Sequence, residues 1–142
     1  MAFEDLRADF DLLDEWEDKY RYVMDLGKAL PELPQELRTE QTKVRGCASQ
    51  VWLVSRVTGR ADDGSPVLHF DGDSDAHLVK GLVAILLSLV QDKSAREVLQ
   101  VDAAAAFAVL GLKEHLTPQR SNGLASMIGR IRQDASEALR GR

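Results

Sequence analysis

The chain contains one cysteine, Cys47, and its neighbours in the segment VRGCASQVWL (residues 44–53) are typical of a reactive thiol. Gly46 lets the backbone turn sharply, and the small side chains after the cysteine leave room for a second molecule to approach the sulfur. Arg45 is close in sequence, and a nearby cation favours thiolate over thiol. A free cysteine is often inert and buried, but these neighbours favour a nucleophile.

A hydrolytic role for Cys47 would require a base to remove the thiol proton and a group to orient that base. The chain has three histidines, His69, His77 and His115, and none lies in a recognisable catalytic motif. Zinc or iron–sulfur binding by the chain alone is disfavoured, since such sites use three or four clustered ligands. Sulfur-to-sulfur transfer needs one thiolate, so a single cysteine is sufficient to accept a sulfur atom as a persulfide and return it.

The composition predicts one globular domain over residues 1–142, with 44% hydrophobic and 29% charged residues. The formal net charge of −5 disfavours a nucleic-acid or anionic-membrane partner, because both require a basic face. The acidic start, MAFEDLRADF, lacks the basic and apolar parts of an export signal. The longest apolar run, residues 81–90, is too short to cross a bilayer. Together with the lack of a disulfide framework, these features predict a cytoplasmic protein.

Helices are predicted at both ends of the chain. Apolar residues at helical spacing predict two helices within residues 1–30, with Asp14 and Glu17 as a capping box for the second. A helix from Ser74 or Asp75 to about residue 91 is expected in the core. Asp73 and Asp75 are expected in its first turn, not as ligands. The capping residues predicted for the later helices are Ser94 with Glu97, Asp102, and Ser121.

Strands are predicted in the middle of the chain. Residues 51–57 are rich in β-branched and aromatic types, and Trp52 is expected in the core. A hairpin connection over residues 58–66 leads to a second strand over residues 67–71. A short strand before Gly46 would complete a three-stranded antiparallel sheet. The order of helices, meander and helices predicts an α+β domain.

Four segments resemble the SufE family of sulfur-acceptor proteins. VRGCASQVWLV resembles the family's signature, in which a Gly-Cys turn precedes a Val-Trp strand. The others are WEDKYRYVMDLGKALPELP, GDSDAHLVKGLVAIL and HLTPQRSNGLASMI, and together the four extend over nearly the whole chain. The resemblance implies a SufE/IscU-like fold, a small three-stranded antiparallel sheet packed by several helices. Because the chain has one cysteine, this shared fold does not imply that it assembles clusters itself.

The resemblance also implies a role in iron–sulfur cluster assembly. In this family, a SufS-type cysteine desulfurase holds sulfur as a persulfide, and the acceptor cysteine removes it and stimulates the desulfurase. The sulfur then passes to a scaffold complex of the SufBCD type. Cys47 matches the acceptor cysteine. Pyridoxal phosphate is expected on the desulfurase, so this chain is expected to bind no cofactor and no metal.

Supporting roles are predicted for residues near Cys47 and in the last matched segment. Arg45 is expected to favour the thiolate, Gly46 to let the loop swing outward, and Gln50 to orient the loop through hydrogen bonds. Arg120, with its neighbour Gly123, is expected on the surface that faces the partner.

Two alternatives remain open at this point. The chain can be an interaction module that regulates a desulfurase, with Cys47 as inert packing, or a cysteine–histidine hydrolase. The sequence is compatible with a monomer or a homodimer, and it leaves the particular desulfurase open.

Overall fold

The structure, a computed structural model, describes residues 2–141, with the backbone alone at residue 113. The predicted α+β class is confirmed, since helices pack a three-stranded antiparallel sheet. The helices are α1 (Phe3–Asp11), α2 (Trp16–Ala29), α3 (His77–Val90), α4 (Ala95–Gln100), α5 (Ala103–Val109) and α6 (Pro118–Leu139), with 3-10 turns at Gln35–Leu37 and Lys113–His115. The strands are β1 (Val51–Arg60), β2 (Pro66–Ser74) and β3 (Lys93–Ser94). The predicted domain, residues 1–142, extends one residue beyond this description at each end.

The predicted hairpin forms most of the sheet. β1 and β2 pair from Val51 opposite Ser74 to Arg60 opposite Pro66. Both strands are longer than predicted, because ladder hydrogen bonds continue past the apolar segment into the exposed end of β1. The sheet therefore extends beyond the core, and its buried half lies next to the loop that contains the cysteine.

The third strand does not lie in the predicted segment. Within the described structure, the chain before Gly46 makes an isolated bridge between Lys43 and Trp52, whereas β3 pairs with β2 near Leu68. The prediction was wrong because a two-residue strand is too short to show alternation in the sequence. The position of β3 in the sheet is set by α3, which precedes it and returns the chain to the edge of β2.

Helix α3 is the centre of the core, as its apolar pattern predicts. Nine of its fourteen residues are buried, and it packs against α2 and β2. Trp52 is also buried, at 8% exposure, and the guanidinium carbon of Arg38 lies 5.1 Å from its ring centroid. Within residues 2–141, no helix combines the length and the apolar character that a membrane span requires.

The predicted caps of α4 and α5 are confirmed, whereas the cap predicted for α6 was wrong. Ser94 and Glu97 form both hydrogen bonds of a capping box at α4. Asp102 accepts a backbone N–H in the first turn of α5, and Thr117 does the same for α6. Ser121 lies within α6 and is not its cap.

The predicted starts of α2 and α3 were wrong. The N-cap of α2 is Glu15, one residue after Asp14, and α3 begins after Asp75; neither helix has a side-chain cap. Ser74 and Asp75 instead bond to the backbone of Gln50, next to the cysteine loop. Short polar side chains serve helix starts and neighbouring loops equally well, so their spacing alone did not distinguish the two.

Candidate functional site

Cys47 lies in a loop between Val44 and β1. The N–H of Val44 donates to the carbonyl of Val51 over 2.8 Å, and this bond closes the loop. Gly46 has φ of +89°, a conformation that favours glycine, so the sharp turn expected before the cysteine is present. Cys47 therefore projects from a turn that faces α6.

The sulfur of Cys47 contacts the N-terminal half of α6. Its Sγ lies 3.5 Å from the carbonyl oxygen of Gly123, to which the thiol donates a weak hydrogen bond. A Cβ at Gly123 would lie 3.6 Å from this sulfur, at ordinary contact distance. A Cβ at Gly46 would lie only 2.5 Å from Oγ of Ser126, so the loop and helix also meet closely at a second point. The thiol is half-buried between them.

A cavity of about 320 Å³ lies beside Cys47. Val79 and Leu82 of α3 and Met127 of α6 form an apolar part of its wall, and Arg120 belongs to the polar part contributed by the first turns of α6. A helix N-terminus favours negative charge. The cavity can therefore accept a small group attached to the sulfur, next to a polar edge.

Burial raises the pKa of the Cys47 thiol above its ordinary value, because desolvation disfavours the thiolate. Arg45, expected to favour the thiolate, pairs instead with Glu40, with 3.1 Å between guanidinium and carboxylate, and its side chain is 74% exposed. Arg120 is the charged residue among those that line the described cavity. At rest the site therefore favours the neutral thiol.

Hydrogen bonds from α6 hold the chain that enters the loop. The guanidinium of Arg130 donates to the carbonyl of Lys43 over 3.2 Å and to the carbonyl of Gln41 over 2.7 Å. The same guanidinium donates to Asp134 over 3.2 Å. The entry to the loop is thus fixed by charge-assisted bonds, which are stronger than neutral ones.

The chain that leaves the loop is held by the connection between β2 and α3. The N–H of Gln50 donates to the carboxylate of Asp75 over 3.0 Å. The Gln50 carbonyl accepts from the hydroxyl of Ser74 over 2.8 Å and from the N–H of Asp75 over 3.3 Å. Gln50 thus orients the loop through its main chain, and the residue is exposed.

The histidines do not line the cavity. Nδ1 of His69 lies 2.9 Å from a carboxylate oxygen of Asp92. His115 stacks on Trp16 with 3.9 Å between ring centroids, and His77 is an exposed residue at the start of α3. Among residues 2–141, no group of three or more His, Cys, Asp or Glu side chains is arranged to hold a metal ion.

The structure brings Cys47, Gly123 and Arg120 together, although the sequence placed the last two on a partner surface. Arg120 is exposed, but Gly123 is buried beneath the cysteine. Met127 in the cavity wall and Ser126 below the loop were not predicted from the sequence. The spacing of Gly123 and Met127, four residues apart on a helix, was an available signal that both share one face.

The comparisons with known proteins agree with this fold. The model of the SufE family, described as an Fe-S metabolism associated domain, matches residues 4–135. The chain therefore belongs to the SufE family, and its function is associated with Fe–S metabolism.

Two curated relatives cover nearly the whole chain. A protein of Rhizobium meliloti (strain 1021), named as an uncharacterized SufE-like protein, is 56% identical over 138 residues, which are 97% of each chain. A protein of Rhizobium etli with the same kind of name is 57% identical over 134 residues, 94% of this chain and 89% of the relative.

The fold also matches a solved structure, the solution structure of a hypothetical protein from Thermus thermophilus. The TM-score is 0.75, with 98% of each chain covered and 21% identity. At that identity the match shows the fold alone.

Proposed function

We propose that the protein is a sulfur acceptor and activator of a SufS-type cysteine desulfurase. Cys47 takes the sulfur as a persulfide and passes it to an iron–sulfur scaffold complex of the SufBCD type. The observation that carries the proposal is one half-buried thiol on an anchored loop, beside a cavity that can hold a small sulfur-bound group. Membership of the SufE family supports it.

The transfer is an exchange at sulfur. The Cys47 thiolate attacks the terminal sulfur of the donor's persulfide, and a new S–S bond forms to Sγ. The S–S bond within the donor persulfide breaks, and the donor cysteine leaves as a thiolate that can take up the proton lost by Cys47. One S–S bond replaces another, so the step requires no external oxidant or reductant.

Orientation limits such a reaction more than intrinsic reactivity does, because the attacking sulfur must approach along the bond that breaks. The hydrogen bonds that Arg130 donates at one end, and that the N–H of Gln50 donates to Asp75 at the other, fix both ends of the loop. Between these ends the contact of Cys47 with α6 is a weak bond from a neutral thiol. Fixed ends and a weak contact at Cys47 support a mechanism in which the tip of the loop, around Cys47, moves toward a docked donor while its ends stay in place.

The hydrolase alternative is disfavoured by the positions of the histidines. A thiol hydrolase needs a base within hydrogen-bond reach of its sulfur. His69 and His115 contact other residues, and no histidine lines the cavity beside Cys47 in the described structure. The regulatory alternative, in which Cys47 is inert, makes a different prediction from the acceptor proposal and is tested below.

The cofactor and partners follow from this proposal. Pyridoxal phosphate stays on the desulfurase, which releases sulfur from free cysteine and presents it as a persulfide. The exchange takes place in the cytoplasm, where a thiol such as Cys47 remains reduced. A monomer and a homodimer can both present the loop to the desulfurase.

The decisive experiment is mass spectrometry of the intact protein after incubation with a purified SufS-type desulfurase and cysteine. The wild type is expected to gain the mass of one sulfur atom, which a thiol reductant removes. Cys47→Ser is expected to show neither the added mass nor stimulation of the desulfurase, while still binding it in calorimetry. Ser49→Ala, in the same loop and without a thiol, is the matched control and is expected to keep the adduct.

The regulatory alternative gives the opposite result. If Cys47→Ser stimulated the desulfurase as well as the wild type, and no sulfur adduct formed on either protein, the acceptor role would be rejected.

A further inference from the structure

The contact between Cys47 and the carbonyl of Gly123 favours one protonation state of the sulfur. A carbonyl oxygen can only accept a hydrogen bond, so the sulfur that faces it over 3.5 Å can form this bond only as a protonated thiol. A thiolate in the same place would put a full negative charge beside the negative end of the carbonyl dipole. The contact therefore favours the neutral thiol and opposes the nucleophilic form.

We propose that the carbonyl of Gly123 is a positioning group that keeps resting Cys47 as a protonated thiol, so that the thiol must leave α6 before it ionises and attacks. This inference rests on the proposed role of Cys47 as the sulfur acceptor. It adds that departure from the helix and activation of the nucleophile are a single coupled event. A docked donor then meets a reactive sulfur only when the tip of the loop has moved.

The charged groups around the sulfur fit this inference. Val79, Leu82 and Met127 offer no polar group that could stabilise a thiolate. Arg120, at the cavity edge, is the cation among the described lining residues, and Arg45 of the loop is occupied by Glu40. An arginine near the exit would favour the thiolate after the sulfur leaves Gly123, while the carbonyl disfavours it before.

The test uses two measurements on the isolated full-length protein. Because the chain has one cysteine, alkylation by iodoacetamide and the infrared S–H stretching band both report on Cys47 alone. A synthetic peptide of residues 44–51 is the reference for the free thiol. The wild type is expected to alkylate with a higher pH midpoint than the peptide. Its S–H band is expected at a lower wavenumber, since hydrogen bonding to a carbonyl weakens the S–H bond.

A pair of variants distinguishes the effect of losing the contact with α6 from the effect of backbone strain. Gly46→Val places a branched side chain at φ +89° and against Ser126, which should displace the tip. Gly64→Val introduces similar strain at φ +85°, where a Cβ would meet nothing within 4 Å. Gly46→Val is expected to alkylate several-fold faster than the wild type below the midpoint, because a larger fraction of the displaced thiol is ionised. Gly64→Val is expected to match the wild type.

Two results would overturn the inference. An S–H band of the wild type at or above the wavenumber of the peptide would show that the thiol is not bonded to the carbonyl, even if burial alone raised the midpoint. Equal alkylation midpoints for wild type and peptide would show that the resting site does not favour the thiol. The desulfurase takes no part in these measurements. A shifted S–H band without a sulfur adduct would therefore contradict the proposed function alone.

Discussion

Asp73 and Cys47 are two polar side chains held in opposite ways. The Asp73 side chain in β2 is 1% exposed, and its carboxylate accepts from the N–H of Leu33 over 2.9 Å and from the guanidinium of Arg38 over 2.8 Å. The ammonium of Lys80 lies 3.3 Å from its other oxygen. Cys47 has instead a weak bond from a neutral sulfur to a carbonyl. The buried charge of Asp73 is surrounded by strong partners, whereas the thiol of Cys47 is held weakly.

We call the parts joined by Asp73 the frame, and the part of the loop around Cys47 the tip. The frame is held by strong bonds, and the tip by a weak one. Asp73 joins β2, α3 and the segment around Leu33 and Arg38, so its bonds hold together parts of the chain that are distant in sequence. The cysteine loop is bonded to that frame at its ends, and its tip contacts α6 without a charged partner at the sulfur. Strong interactions are therefore found where movement would unfold the domain, and weak ones where the proposed sulfur transfer would require movement.

The largest expected effect comes from removing the charge of Asp73. Asp73→Asn leaves Arg38 and Lys80 without their buried counter-charge, and breaking such a buried pair costs about 3–5 kcal/mol. The matched control is Asp71→Asn in the same strand, where the carboxylate is 46% exposed and its pairing with Arg56 is long, at 3.9 Å. That loss is expected within about 1 kcal/mol. Urea unfolding measures the loss of stability in both variants. Equal losses would show that Asp73 stabilises the domain no more than the more exposed Asp71 does.

The stabilisation from Asp73 is expected to depend on pH. Burial alone would raise the pKa of its carboxyl, but hydrogen bonds from Leu33 and Ser74 and the charge of Lys80 together lower it below the ordinary value of 3.8. The stabilisation is therefore fully present above that ordinary value and is lost as pH falls through the lower pKa of the folded state. The measurement is the stability difference between wild type and Asp73→Asn across this range. A difference that grows as the pH falls would contradict the sign.

Asp134 is the contrasting carboxyl for the same titration. Burial raises its pKa despite the favourable charge of Arg130. Its contribution to stability is therefore complete below the ordinary value and declines as pH rises through the raised pKa of the folded state. The difference in unfolding free energy between wild type and Asp134→Asn should thus change with pH in one direction. The difference between wild type and Asp73→Asn should change in the opposite direction. If both stability differences changed with pH in the same direction, the opposite pKa shifts of the two carboxyls would be contradicted.

The sequence predicted the tip better than the frame. The turn at Gly46 depends on neighbouring residues, so a local pattern was sufficient to find it. Asp73 was expected in the first turn of a helix. Its partners Leu33 and Arg38 lie 40 and 35 residues away, and only the fold brings them close, so no local pattern could reveal them. A short acidic segment before an apolar helix looks the same whether its carboxylates cap that helix or hold another segment.

The same reason explains the remaining differences. Hydrophobic periodicity predicted the hairpin and α3, which bury long apolar segments. It missed β3, where two residues pair with the sheet edge, and the contact between Gly123 and Cys47, which are 76 residues apart. The sequence was sufficient to single out Cys47 as the candidate nucleophile, while the carbonyl that contacts its sulfur was visible only in the packing of the loop on α6.

A smaller effect is expected when the tip is displaced. Gly64→Val should destabilise the hairpin turn by about 1–2 kcal/mol, the strain of a side chain in a left-handed backbone conformation. Gly46→Val should cost no more than this, because the tip can leave α6 while the bonds at the ends of the loop remain. Urea unfolding compares the two. A loss for Gly46→Val as large as that for Asp73→Asn would mean that the tip belongs to the frame.

The smallest effect is expected from adding one methyl group beneath the sulfur. Gly129→Ala, on the same helix and with nothing within 4 Å of the new Cβ, should stabilise α6 by about 0.5–1 kcal/mol through helix propensity. Gly123→Ala gains the same propensity, but its Cβ would lie 3.6 Å from Sγ of Cys47. Because that distance is an ordinary contact, the gain should be equal or slightly smaller. A net loss in Gly123→Ala, measured by urea unfolding against Gly129→Ala, would show that the docked tip has no room to adjust and belongs to the frame.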